Sequence, residues 1–391
     1  MRRPPLPWII YYLGFNYTFV NTVIYPTFPE IERSLLLSSL QLSLISSIPG
    51  LISILLQPAA GWLSDRVNRR TILILALCAF ASGGAIVAVA LALGEGFVWI
   101  LLGRLVMGIG ELGAFPQYLA VVHQALPREL HRQTMAVMEA TTSLGAVVAP
   151  PIGGILVAVA LGAPFWMTAA AALLAIVAVL IGIPSLRLQA GQESQERKSG
   201  RGLAELIRAW PGFVGGFLVM GTLVAMQTFL GSFARATFDM GFARLGLFLA
   251  VVPLFMAMGS WLQYRAGPST AFLGMRMPAI GLLTVMGCGL VALATSEAIL
   301  FFGLAAIGIA LGYWLPALDH VVSQAGDPVS RGFRLSVFQQ AKAVGIFFLP
   351  IATGLTIDLT GSIRVAYLAL GVIVFVFGSG ALASWRRVLA D

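Results

Sequence analysis

The stretch Gly61-Trp62-Leu63-Ser64-Asp65-Arg66-Val67-Asn68-Arg69-Arg70 decides the fold. It places four charges in one short turn of a chain in which only 10% of residues are charged. A turn so loaded, set between two long apolar runs, has a specific task.

The runs around it define the class. Of the 391 residues 59% are hydrophobic, and the mean hydropathy of +0.92 exceeds what a water-exposed surface of this size tolerates. Apolar runs of roughly 20 residues recur along the whole chain, long enough to cross about 30 Å of hydrocarbon as helices and too continuous for barrel strands. The expected fold is therefore an all-α membrane protein. The first run, from Trp8, lacks a small-residue cleavage site and reads as a span rather than a signal peptide. Cys78 and Cys288 lie inside apolar runs as packing residues.

Twelve spans are expected, at 8–30, 41–63, 71–94, 97–124, 132–160, 163–184, 211–236, 242–263, 277–296, 298–323, 335–357 and 363–385. Of the 24 basic residues, Arg104 and Lys342 lie deep inside spans rather than at their ends. With the amino terminus in the cytoplasm, only Arg33, Arg235, Arg244 and Arg364 lie on outward segments. The positive-inside bias thus puts both termini in the cytoplasm. It also accounts for the net charge of +8 and the pI near 10 without nucleic acid, since no basic stripe with interleaved aromatics is present. The polar stretch 187–210 reads as a linker, giving an amino-terminal bundle 1–186 and a carboxyl-terminal bundle 211–391. An amphipathic surface helix from Leu203 to Trp210 is the alternative for its end.

With Gly61 before them, Asp65, Arg66, Arg69 and Arg70 resemble the loop signature of the major facilitator superfamily, Gly-x-Leu-x-Asp-Arg-x-Gly-Arg-Arg, placed between helices two and three on the cytoplasmic side. The resemblance implies twelve transmembrane helices in two pseudo-symmetric six-helix bundles. It also implies that Asp65 sits against the positive amino-terminal end of helix eleven and locks the halves when the cavity opens outward. Asn68 replaces the usual glycine, and a left-handed backbone is expected there. Gly259-Ser260-Trp261-Leu262-Gln263-Tyr264-Arg265 is a degenerate second copy with Tyr264 in place of the acid.

Span four carries Arg104, Gly108, Gly110 and Glu111, similar to the family's Arg-x-x-x-Gly-x-Gly pattern. An ionisable residue inside a span is costly unless it faces a partner or water. Arg104 and Glu111 share a helix face with Phe115 and Tyr118, yet stand about 10 Å apart along the axis, too far for a direct bridge. Glu111 therefore needs another partner or a bound proton, and is read either as a proton carrier or as a hydrogen-bonded structural acid. Span five holds Gly145-Ala-Val-Val-Ala149-Pro150-Pro151-Ile152-Gly153-Gly154, which resembles the Gly-x-x-x-Gly-Pro-x-x-Gly-Gly signature of the drug:proton antiporter branch. Its small residues admit a close helix neighbour, and its prolines permit bending. Glu139, in the same span, is a second proton-coupling candidate or the partner of a nearby base. Lys342 in span eleven needs a carboxylate or a substrate anion, and Asp319 is the partner at matching depth. Span one offers Asn16, Tyr17, Asn21 and Thr22 but no acid, unlike several proton-driven exporters of the family.

Phosphate loops, paired metal ligands and nucleophile sets are missing from the sequence, so neither an enzyme nor a cofactor is expected; His123, His131 and His320 are scattered. Taken together, the residues point to a monomeric multi-pass transporter of a cell inner membrane that exports a small amphiphilic compound against protons. Candidate gating residues are Gly61, Asp65, Arg66, Arg69, Arg70, Gly145, Pro150, Gly153 and Gly154. Proton coupling falls to Arg104, Glu111 and Glu139. Candidate substrate contacts are Tyr17, Asn21, Arg104, Glu111, Phe115, Tyr118, Gln227, Tyr313, Trp314, Phe338, Gln339 and Lys342, with Phe229 and Phe233 as further wall residues. Open alternatives are an organic-anion importer or exchanger gripping its substrate with Arg104 and Lys342, a lipid or glycolipid flippase, and a non-transporting sensor.

Overall fold

The computed structural model describes residues 6–64, 67–94, 96–183, 202–266, 270–325 and 331–388. Within them the chain is helical throughout: α1 Leu6–Thr22, α2 Phe28–Ser34, α3 Ser39–Ser64, α4 Arg69–Leu93, α5 Phe97–Ala125, α6 Arg128–Val159, α7 Ala163–Gly182, α8 Gly202–Phe238, α9 Phe242–Ala266, α10 Thr270–Ala292, α11 Glu297–Gln324, α12 Arg331–Thr360 and α13 Ile363–Val388. All but α2 correspond to an expected span. Eight of these helices are apolar and long enough to cross a membrane.

Several boundaries differ from expectation, and three bear on the reading. The first span ends at Thr22, not at residue 30, because Pro26 and Pro29 cannot donate to a continuing helix and disfavour α geometry in the residue before them. A 3₁₀ turn at Tyr25–Thr27 and the short α2 each place their proline in the first turn, where the missing N–H costs nothing. Secondly, α8 begins at Gly202, inside the expected linker. Leu203, Leu206, Ile207 and Trp210 have helical spacing, and the helix runs on through Pro211. Thirdly, the degenerate copy at Gly259–Arg265 is helical to its end within α9.

Contacts group the chain into two units: Met1–Leu37 with Leu44–Ala190 and Ala234–Ala250, and Ser38–Ser43 with Gly191–Phe233 and Val251–Asp391. Each has its own apolar core, around Phe80 and Phe165 in the first and Phe229 and Tyr367 in the second. The same helix crossings recur in both. In the first unit, Gly83 of α4 and Gly103 of α5 meet so closely that a methyl on Gly83 would fall 2.6 Å from the Gly103 carbonyl oxygen. In the second, Gly287 of α10 and Gly303 of α11 repeat this, at 2.9 Å. Gly145 of α6 lies against the Phe15 carbonyl of α1, and Gly345 of α12 against the Phe217 carbonyl of α8, again with no room for a side chain. Paired small residues at matching places are what a duplicated helix bundle needs wherever its backbones cross.

Candidate functional site

The charged turn is only partly described. Asp65 and Arg66 lie outside the described residues, so the expected seat of Asp65 lies outside them too, and Gly61 is described only as part of α3. Past the turn, Asn68 has φ −55° and ψ 127° rather than the left-handed backbone expected of a glycine substitute. It is the amino-terminal cap of α4, its side-chain oxygen accepting from the Arg70 N–H at 2.9 Å, and that role calls for an extended ψ. Arg70 donates through Nη2 to the Leu180 carbonyl in the last turn of α7, where a cation offsets the helix dipole. Arg69 heads α4 beside it.

The antiporter-like segment is a packing seam on two sides. Gly145 and Gly153 take the backbone of Phe15 and Val23, whereas Gly154 takes that of Phe242, and a methyl on Gly246 would collide with the Pro150 carbonyl. All of these contacts lie within the first unit. Ala149 and Pro150 are buried at the centre of the seam.

Next to it lies the polar cluster of the first unit. Tyr17 of α1 donates its hydroxyl to Glu111 Oε1 of α5 at 3.2 Å. Asn21 Nδ2 donates to the Tyr17 carbonyl at 3.0 Å and holds the neighbouring turn of α1. Arg104, 3% exposed, does not bridge to Glu111: its Nε donates to the Ile45 carbonyl of α3 at 3.0 Å. That carbonyl is available because the residue four places on is Pro49, which has no N–H to give it. Gly108, one turn after Arg104, leaves room for the Pro49 backbone at 3.1 Å from where its Cβ would be. Arg104, Glu111 and the buried Tyr25 remain close enough to act on one another electrostatically. The Tyr118 hydroxyl is buried without a hydrogen-bond partner among the described residues, whereas Glu139 of α6 is exposed. The Phe115 side chain lies outside the described residues.

In the second unit, Lys342 Nζ sits 3.4 Å from Asp319 Oδ1 and 4.2 Å from the centroid of the Phe338 ring. The cation is thus held between a carboxylate on α11 and an aromatic face one turn back on its own helix. Phe338, Phe229, Phe233, Tyr313, Trp314 and Gln227 are all buried, and Gln339 is exposed. Phe338 packs on Gly216 of α8, and the Trp314 ring lies over Gly281 and Gly378. The Trp314 Nε1 is a buried donor with no partner among the described residues. The sequence pairs Lys342 with Asp319 by depth but names no partner for Arg104. The signal that names Ile45 was available in Pro49, since a proline inside a helix orphans the carbonyl four residues before it.

Residues 10–275 match the sequence profile of the Major Facilitator Superfamily. The chain belongs to this superfamily. The bacillibactin exporter of Bacillus subtilis (strain 168) is 26% identical over 343 residues, covering 85% of both chains. The putative multidrug resistance protein MdtD of Yersinia pseudotuberculosis is 30% identical over 151 residues, which are 38% of this chain and 31% of that relative. Among solved structures, an inward-facing, unoccupied bacterial homologue of the human lysosomal transporter Spinster superposes with a TM-score of 0.80 at 18% identity, over 99% of this chain and 98% of that one. This major facilitator protein has the all-helical superfamily fold, is an integral membrane protein and is a transporter.

Proposed function

We propose that the protein is a proton-coupled exporter of small amphiphilic compounds, lodged in a cell inner membrane with both termini in the cytoplasm. On this reading the bundles 1–186 and 211–391 expose a midplane site alternately to the two sides. Export is supported by the relative named a bacillibactin exporter, which aligns along 85% of both chains, and by the one named a multidrug resistance protein. Coupling rests on one observation: the Glu111 carboxylate, in the middle of α5, is hydrogen-bonded by a neutral phenol and, among the described residues, by no cation. A carboxyl so placed in a span can take a proton at modest cost, and its ionised form is supported by Tyr17. The organic-anion reading has less support, since Arg104 is committed to the Ile45 carbonyl and Lys342 to Asp319.

The test is flux of a lipophilic dye in reconstituted vesicles with an imposed pH gradient. Wild type should drive the dye toward the acid side, and Glu111→Gln should move it only down its own gradient. A Glu111→Gln variant that still follows the pH gradient removes Glu111 from coupling.

A further inference from the structure

The start of α3 is fastened by a residue 319 positions away. Asp358 Oδ1 accepts from the Ser39 N–H and Oδ2 from the Leu40 N–H, both at 2.9 Å. The rest of the helix start is satisfied locally. Ser38 Oγ accepts from the Gln41 N–H at 3.2 Å, Gln41 Oε1 accepts from the Ser38 N–H at 2.9 Å, and the Leu42 N–H already reaches the Ser38 carbonyl. This is a complete capping box, so α3 begins at Ser39 with or without Asp358.

Nor does Asp358 serve its own helix. It stands in the last turn of α12, where a negative charge meets the negative end of the helix dipole. One turn earlier on the same face is Gly354, where a methyl would fall 2.6 Å from the Ser39 carbonyl oxygen. Gly354 makes the notch that takes the Ser39 backbone, and Asp358 ties that backbone down one turn on. Asp358 is exposed, so on release water can hydrate both the carboxylate and the freed N–H groups. Such a tie can open and reseat.

We propose that Asp358 is a gating residue, whose carboxylate is a reversible clasp on the amino-terminal end of α3 that the transport cycle makes and breaks. Two facts about α3 give the clasp its reach. It is one unbroken helix of 26 residues, about 39 Å long, and Ser38–Ser43 group with the second unit while Leu44 onward group with the first.

The experiment needs neither substrate nor proton gradient, so its failure leaves the export reading standing. Spin labels are placed at Leu36→Cys and Leu359→Cys, both well exposed, in a chain carrying Cys78→Ser and Cys288→Ala, and their distance distribution is measured by pulsed electron resonance. Asp358→Asn should lower the ratio of the short-distance to the long-distance population about tenfold. Ser39→Pro deletes one donor at a position where helices accept proline, and should lower the ratio about threefold relative to Ser39→Ala, which keeps the N–H. If Asp358→Asn does not fold, the Ser39 pair decides alone. An unchanged distribution overturns the clasp, as does a shift in Asp358→Asn that Ser39→Pro does not share.

Discussion

At the scale of single residues, the most consequential pair is Pro49 and Arg104. A proline in α3 strips the Ile45 carbonyl of its helical donor, and a guanidinium from α5 supplies the replacement. Removing one partner of a buried hydrogen bond costs about 1–3 kcal/mol when the other is left unsatisfied. Arg104→Ala should therefore lower the midpoint of thermal unfolding clearly in wild type. In a Pro49→Ala background, where the N–H at position 49 closes on Ile45, the same change should cost much less. Equal losses in both backgrounds would mean that Arg104 contributes through its charge and not through this bond. The sequence announced that Arg104 needed a partner, because a bare cation in a span is costly. It did not say that the partner was a backbone oxygen, since that depends on which face α3 turns toward α5.

At the scale of elements, the ends of the helices carry the information. Asn68 caps α4 with φ −55°, so Asn68→Ser should be tolerated and Asn68→Ala should cost about 1 kcal/mol in thermal or chemical unfolding. Had the backbone been left-handed, Asn68→Gly would be the stabilising change; with the cap in place it should bring no gain. The short α2 makes a second test. Its Glu30 carboxylate accepts from Arg33, and from Arg235 Nη1 at 2.9 Å. The Arg33 hydrogen bond, with the charges of Arg33 and Arg235, holds the Glu30 carboxyl below its ordinary range against an opposing effect of burial. A lowered carboxyl stabilises the fold above the unfolded-state pKa, and the contribution is lost as pH falls through the folded-state value. The difference in unfolding midpoint between wild type and Glu30→Gln should thus be present at neutral pH, vanish in acid below the usual carboxylate range, and shrink in salt. A difference independent of pH would assign Glu30 a packing role alone.

The apolar runs made the long helices legible, because composition and length decide what spans a membrane. Boundaries governed by proline were less so: Pro26 and Pro29 stood in plain view, yet hydropathy alone carried the first span across them. The start of α8 was legible only as the alternative, a surface helix from Leu203 to Trp210, because its few apolar residues at helical spacing sit in a charged segment. Asp319 and Lys342 could be paired from depth alone, since both lie in spans of known direction. Asp358 could not, because nothing local marks an acid whose partners are two N–H groups more than three hundred residues earlier.

At the scale of the whole molecule, the recurring glycine crossings, Gly83 with Gly103 and Gly287 with Gly303, mark the duplication more sharply than the degenerate second turn does. A branched side chain at either member should block the crossing, so Gly103→Val and Gly303→Val should each abolish expression of folded protein, as read by monodispersity in detergent, whereas Gly289→Val, with open space around it, should not. The grouping of the chain carries its own consequence. The first unit borrows Ala234–Ala250 from the later part of the sequence, seating Phe242 on Gly154 and Gly246 on Pro150, while the second borrows Ser38–Ser43 from the earlier part. A chimera that swaps one bundle for that of a relative must carry these loaned segments with the bundle they serve, or each transplanted piece will arrive with a gap where its own glycines expect a neighbour.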